Sequence, residues 1–325
     1  NNDSEGVVMK FDLIVPIFNI QEHLDACLSS IFRQTYRNFR AIMIDDGSTD
    51  GSSLIAQSYA DKDARFEYYR KQNGGLSDAR NFGLEKLMAE YVLFIDGDDY
   101  IELDLLEVVY QELLHNPVDV LEFNGWIVEN GVRNRCVNTF YIDKGIIKSG
   151  RDYILDNVKS RGIMVPVWLK AVRSKVLLQN HLYFAVGKLH EDELWTPKLY
   201  FMADSVKYID RCLYNYVQRE GSITHQADRD KSARDAKEIY YQLEKYYRGL
   251  GLTRSQRNIL TSCLSIQMIE VCRRSKREGM TPRDKEFIIR NAKGIRSVGN
   301  MLLFLVLPKH YELLSRVVKD VLGYH

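Results

Sequence analysis

Short apolar runs alternate with amphipathic stretches through the first hundred or so residues, the periodicity of strands followed by helices. Phe11 to Pro16 reads as a buried strand, and Gln21 to Gln34 as a helix carrying Leu24, Cys27, Leu28, Ile31 and Phe32 on one face. Ala41 to Ile44 and Phe66 to Tyr69 are further strands, with a helix over Leu54 to Tyr59 between them. Asn73-Gly74-Gly75 is a turn, Leu76 to Met88 a helix, Tyr91 to Ile95 a strand and Leu103 to Leu114 a helix. That alternation predicts an α/β domain with a mostly parallel sheet flanked by helices. After Asn116-Pro117 the pattern weakens into strand pieces at Val118 to Phe123 and Gly125 to Val128, then a loop-rich stretch to about Gly150. From Arg229 the periodicity is helical, with helices near Lys231 to Tyr247, Arg254 to Arg274, Pro282 to Ala292 and His310 to Leu322. The run Met301 to Leu307 is apolar but far shorter than the ~20 residues of a spanning helix.

The strand ends carry the candidate chemistry. Tyr91-Val-Leu-Phe-Ile-Asp96-Gly97-Asp98-Asp99 runs from a strand covered on both faces into three carboxylates around one glycine. Open α/β sheets place ligands at carboxyl ends of strands, and hard oxygen donors there suit Mg²⁺ or Mn²⁺. A solvated Asp-Gly turn accounts for the same residues without a ligand. The second strand ends similarly, in Asp45-Asp46-Gly47-Ser48-Thr49-Asp50-Gly51.

The composition, 325 residues with 45% hydrophobic and 27% charged, is that of a soluble globular protein of one large domain or two ordinary ones. Cys27, Cys136, Cys212, Cys263 and Cys272 are odd in number, widely spaced and without a CxxC pair, which points to a reducing cytoplasm. No signal peptide is recognisable, and Asn1 to Val8 read as a tag remnant or polar leader. The net charge of +1 hides a division, since residues 1–125 sum to −13 and residues 126–325 to +14. The acidic half argues against nucleic acid as a partner. The basic half suits an anionic membrane surface, a phosphorylated lipid or the acidic half itself. Residues 271–296, with nine Lys+Arg against three Asp+Glu, are either an exposed helix pair closing a C-terminal subdomain or a peripheral membrane attachment.

Five ordered motifs lie within roughly ninety residues: Ile14-Val-Pro-Ile-Phe-Asn19, Gln34-Thr-Tyr, Asp45-Asp46-Gly-Ser-Thr-Asp50, Gly75-Leu-Ser-Asp-Ala-Arg80-Asn81-Phe-Gly83 and Asp96-Gly-Asp98-Asp99. Together they closely resemble glycosyltransferase family 2, inverting enzymes of the GT-A fold that use nucleotide-activated sugars. The resemblance is strong to about Tyr100, patchy to about His225, and absent from the last hundred or so residues.

The resemblance implies a role for each motif. Pro16, Phe18 and Asn19 would line the base pocket, and Asp46 would hold the base or ribose of the donor, which a carboxylate can do. Asp45 either touches ligand or forms the turn, and Asp50 caps the following helix. Gly75 and Arg80 would flank the donor ribose and diphosphate at a helix start, and Asp78 either caps that helix or has a role left open. Asp96 and Asp98 match the Asp-X-Asp element, with Asp98 on a Mn²⁺ or Mg²⁺ ion and Asp96 on ribose or metal water. Asp99 is an auxiliary acid. His190-Glu191-Asp192-Glu193 looks like the family's Glu-Asp element, with Asp192 as general base and Glu191 its nearest competitor; an acidic helix start favoured by the macrodipole is the other reading. Trp168 would stack on an acceptor sugar or pack in the core. Arg219 would meet the diphosphate, and His225 would complete the metal shell.

These readings imply a GT-A domain over residues 9–225, split at about residue 100 into nucleotide-sugar and acceptor halves, with a helical region over 226–325. The implied activity moves a hexose or N-acetylhexosamine from a UDP-sugar to a glycan or lipid-linked acceptor in capsular or other surface polysaccharide synthesis, in the cytoplasm or peripherally at the inner membrane face. A non-catalytic carbohydrate-binding protein on the same frame predicts binding without turnover. A sugar-nucleotidyltransferase predicts pyrophosphate as product, and its glycine-rich, lysine-bearing signature is missing.

Overall fold

The computed structural model describes residues 10–138, 144–160, 165–218, 228–275 and 280–306. The chain divides into two compact units, one of residues 1–154 with 163–225 and one of residues 155–162 with 226–325.

The first unit is built on one sheet. Its opening elements are β1 (Phe11–Ile17), α1 (Gln21–Phe32), β2 (Phe39–Asp45), α2 (Ser52–Lys62), β3 (Phe66–Arg70), α3 (Leu76–Leu84), β4 (Tyr91–Phe94), β5 (Tyr100–Ile101) and α4 (Leu105–His115). Then follow β6 (Val120–Glu129), β7 (Val132–Cys136), β8 (Ile147–Lys148), α5 (Gly150–Ser160), which belongs to the second unit from Leu155 on, β9 (Lys170–Arg173), α6 (Ser174–Gln179), α7 (Glu191–Met202) and β10 (Val206–Gln218). The order across the sheet is β3-β2-β1-β4-β9-β6-β10-β5, with β7 on β6 and β8 on β10. The first four strands are parallel, as is β6 with β10, whereas β9 runs antiparallel to β4 and β6. All residues of β1 and β4 are buried, the burden of central strands covered on both faces. Because β1, β2 and β4 are parallel neighbours, their carboxyl ends open at one edge, and the acidic turns that follow β2 and β4 begin there.

Three departures from the sequence pattern have local causes. The helix expected to reach Met88 ends at Leu84 because the backbone beyond it is captured. Asp12, fully buried on β1, accepts the N–H groups of Met88 and Ala89, while Arg40, ion-paired to Asp12 at 2.8 Å, donates to the Lys86 carbonyl. The two strand pieces around Asn124 form one strand, β6. Asn124, polar and flanked by glycine, reads as a break, but its amide bonds both ways to the Asn138 backbone. The stretch expected to be loop-rich contains β7 and β8, whose exposed, basic sequences lack alternation.

The second unit includes α8 (Arg229–Gly249), α9 (Arg254–Arg274), α10 (Pro282–Asn291) and α11 (Ile295–Val306). Ile239, Tyr240, Leu243 and Tyr247 of α8, Leu260, Leu264, Met268 and Ile269 of α9, and Phe287 and Ile288 of α10 are buried. Thr253 with Gln256 and Thr281 with Asp284 form capping boxes at the starts of α9 and α10. Asp284 also receives Lys237 Nζ at 2.9 Å and the Tyr241 hydroxyl at 2.5 Å, tying α10 to α8. Among the described residues no helix is long and apolar enough to cross a membrane. The helix expected over His310 to Leu322 lies outside the described residues.

Candidate active site

The turn after β2 is held by its own acids. Asp45, fully buried, accepts the Ser48 N–H at 2.8 Å and the hydroxyls of Ser53 and Tyr68 at 2.5 and 2.7 Å. Burial alone would raise its pKa, but these donors hold it below the ordinary value. Asp46 accepts from Lys71 Nζ at 2.6 Å, Gly74 N–H at 2.9 Å and Gly75 N–H at 2.7 Å. Most of its acceptor capacity goes to the loop entering α3, where Gly75 at φ +88° makes the turn that a side chain would strain. Asp50 accepts the Ser52 N–H and also the Gln21 N–H, so it joins the starts of α2 and α1. Asp78 pairs with Lys71 at 2.5 Å and does not cap α3. Asn19, at φ +49°, accepts the Thr49 N–H at 2.8 Å, and Phe18 beside it is 47% exposed, leaving its ring free at the strand edge past Pro16.

The turn after β4 is built differently. Gly97 folds back so closely that a Cβ there would lie 2.9 Å from the Pro16 carbonyl oxygen. Asp96 N–H donates to the Tyr214 hydroxyl oxygen at 3.0 Å, and that hydroxyl donates to Asp99 at 2.9 Å. Asp99, 2% exposed, also accepts the Val217 N–H at 2.7 Å, so it anchors the turn to β10. Trp168 is 8% exposed and stacks on Tyr214 at 4.5 Å and Tyr216 at 5.4 Å, an arrangement that braces the same tyrosine from behind.

Arg80 is the centre of the arrangement. Its guanidinium, 2% exposed, donates to Asp96 at 2.7 Å and to Glu191 at 2.6 Å, joining the strand-end acids to the first turn of α7. The neighbouring residue, Asn81, donates to the Phe184 carbonyl at 2.9 Å and accepts the Phe184 N–H at 2.8 Å. Phe184 in turn lies flat on Trp195 of α7, with ring centroids 4.8 Å apart. Two adjacent α3 side chains thus fix both the loop before α7 and its first residue. That loop ends at His190, which holds a left-handed φ of +62° and turns the chain sharply into Glu191 and Asp192.

The electrostatics follow from the small number of cations. Burial raises Asp96, which Arg80 pulls down and Asp98 pushes up; burial, Asp98 and Asp96 raise Asp99 well above the carboxylate range. Burial and the Glu191 charge push Asp192 up to about 7. Glu191 is committed to Arg80, which leaves Asp192 as the carboxylate of this pair poised to exchange a proton near neutral pH.

Asp96 and Asp98 form a hard-oxygen pair in an acid-rich turn, and a divalent cation fits that donor set. Among the described residues no three His, Cys, Asp or Glu side chains are grouped to hold a metal ion. Mg²⁺-type sites take one or two carboxylates and leave the other positions to water and substrate phosphates. Arg219 and His225 lie outside the described residues. Asn81 and Tyr214 carried no role in the sequence reading; Asn81 stands beside Arg80 in its motif, but nothing local marks Tyr214, whose partners are more than a hundred residues away.

Residues 12–176, half the chain, match the family described as Glycosyl transferase family 2. The chain is 32% identical over 226 residues to glycosyltransferase GlyA of Streptococcus pneumoniae, covering 66% of this chain and 31% of GlyA. It is 28% identical over 219 residues to poly(ribitol-phosphate) beta-N-acetylglucosaminyltransferase TarS of Staphylococcus aureus, covering 66% of this chain and 36% of TarS. It therefore spans about a third of the length of these two relatives. A crystal structure of TarS 1–349 in complex with UDP-GlcNAc shares the fold with a TM-score of 0.67 at 22% identity, over 97% of this chain and 89% of that one. The mannosyltransferase PcManGT of Pyrobaculum calidifontis, in complex with GDP-Man and Mn²⁺, gives a TM-score of 0.54 at 16% identity, over 97% and 88%. The fold is thus GT-A, and with the family match over half its length the chain belongs to glycosyltransferase family 2.

Proposed function

We propose that this protein transfers a hexose or N-acetylhexosamine from a UDP-sugar to a hydroxyl of a glycan acceptor, with inversion, in the synthesis of a bacterial surface polysaccharide. The observation that carries this reading is the Arg80 bridge, which ties the Asp96–Asp98 turn to the helix start that presents Asp192. Asp192, with its pKa near 7, takes the proton of the acceptor hydroxyl as that oxygen attacks the anomeric carbon. The anomeric carbon–oxygen bond to the nucleoside diphosphate breaks on the opposite face, which inverts the configuration.

Asp98, with Asp96, would hold Mn²⁺ or Mg²⁺, which when bound neutralises negative charge on the departing diphosphate. Phe18, Pro16 and Asn19 border the nucleotide base, and the Asp46-held Gly74–Gly75 loop borders the ribose and diphosphate. Trp168, stacked on two tyrosines, braces the Asp96–Asp99 turn through Tyr214. The uridine nucleotide is supported by the complex of TarS with UDP-GlcNAc, and transfer of an N-acetylhexosamine to a polymer by the naming of TarS as a poly(ribitol-phosphate) beta-N-acetylglucosaminyltransferase. Peripheral attachment at the inner membrane face draws its support from the basic residues 271–296.

The test is to incubate the protein with a panel of UDP-, dTDP- and GDP-sugars, with Mn²⁺ or with chelator, and to measure free nucleoside diphosphate. Metal-dependent release from one donor is the expected result. Tight nucleotide-sugar binding with no release, even with glycan acceptors added, would instead support a binding protein.

A further inference from the structure

Cys136 at the end of β7 and Cys212 in β10 are 76 residues apart in sequence, yet their sulfurs lie 3.0 Å apart. We propose that Cys136 and Cys212 form a disulfide on exposure to a low-molecular-weight disulfide, making this pair a covalent modification site that staples β7 to β10.

The geometry supports closure. A disulfide needs sulfurs ~2.05 Å apart, so the two must approach by about 1 Å. Cys212 sits where the pairing of β10 with β6 is irregular, with register shifts on both sides of it, and an irregular ladder yields more readily than a regular one. Both thiols are partly exposed, so a small oxidant reaches them, whereas Cys27 and Cys272 are buried. Burial and the adjacent Cys136 thiol push Cys212 up to about 12, which disfavours Cys212 as the first attacking thiolate.

In the first step the Cys136 thiolate attacks one sulfur of the small disulfide and expels one small thiol. In the second, Cys212 gives up its proton and attacks the Cys136 sulfur, expelling the second small thiol. Two protein thiols are oxidised, and one small disulfide is reduced to two thiols. The consequence lies close to the candidate site, because Cys212 is two residues before Tyr214, whose hydroxyl links Asp96 to Asp99.

The whole chain, incubated with oxidised glutathione, alkylated under denaturing conditions and mapped by peptide mass spectrometry, tests this. The expected result is two of the five thiols protected, one cross-linked peptide joining Cys136 to Cys212, and a raised Tm, all reversed by dithiothreitol. Cys136→Ser and Cys212→Ser should each abolish the cross-link, and Cys212→Ser should leave glutathione on Cys136. Five alkylated thiols, a stable glutathione adduct on wild-type Cys136, or a cross-link through Cys263 would overturn the proposal. The wild-type map decides even where a variant fails to fold.

Discussion

The turns after β2 and β4 use the same residue types at the same sheet edge to opposite ends. In the first, Asp45, Asp46 and Asp50 are supplied with donors from Ser48, Ser53, Tyr68, Lys71, Gly74, Gly75, Ser52 and Gln21, and Asp45 and Asp50 are held below their ordinary pKa. In the second, Asp96 and Glu191 share the buried Arg80, Asp98 and Asp96 crowd Asp99, Glu191 crowds Asp192, and Asp96, Asp99 and Asp192 are raised. Carboxylates rich in donors build the scaffold. Carboxylates raised by burial and by one another's charge are the ones suited to exchange a proton or to face a cation.

Asp192→Asn should break the second group most visibly, lowering turnover by ~10³-fold in nucleoside-diphosphate release, within the range for loss of a general base. The same change should stabilise the fold. Asp192 is raised from 3.8 to about 7, so its ionisation costs stability as pH rises between those values. The variant should therefore melt a few degrees higher than wild type at pH 8 and at the same temperature below pH 4. Wild-type turnover retained with an intact fold would remove Asp192 from the role of base.

Arg80→Met leaves the buried Glu191 and the partly exposed Asp96 without their counter-charge and should cost about 3 kcal/mol in denaturant unfolding. Arg80→Lys should recover only part of that, because one ammonium cannot reproduce the guanidinium fork to two carboxylates. Equal stability of Arg80→Met and wild type would mean the bridge is incidental.

In the donor-rich turn the effects should be smaller and of opposite pH sense. Asp46→Asn should cost about 1–3 kcal/mol by weakening the hold on Lys71, Gly74 and Gly75, and should weaken nucleotide binding measured by titration. Asp45 has a lowered pKa, so its contribution is present above 3.8 and is lost as pH falls through its folded value. The stability gap between wild type and Asp45→Asn should accordingly close on acidification, whereas the Asp192→Asn gap closes on the same path from the other side. The N-cap of α2 is Gly51, not Asp50, so smallest of all, Asp50→Ala should cost about 1 kcal/mol through loss of the hydrogen bonds from Ser52 and Gln21.

Much of the α/β half was legible because its signals are local. Buried apolar runs such as Leu13 to Ile17 and Tyr91 to Ile95 admit little besides central strands, and the acids at their ends had to emerge at one edge once the strands were parallel. The helix α9 has the expected bounds, Arg254–Arg274, because a capping box starts it and a continuous helical periodicity fills it. Legibility failed where distant groups intervened: at Met88, captured by Asp12; at Asn124, satisfied by Asn138; and in β7, an exposed strand without alternation.

The sequence by itself determined the order of elements, the family and the list of acids, since periodicity and motif spacing are written in neighbouring residues. It did not distinguish an acid that shapes a turn from one left for chemistry. Only the tertiary structure decided that Asp46 is spent on the Gly74–Gly75 loop, that Glu191 is locked by Arg80 while Asp192 rises towards neutrality, and that Cys136 meets Cys212. The reason is physical: a carboxylate's role depends on the donors and charges within a few ångströms of it, and here those arrive from residues as far as 118 positions away in the chain.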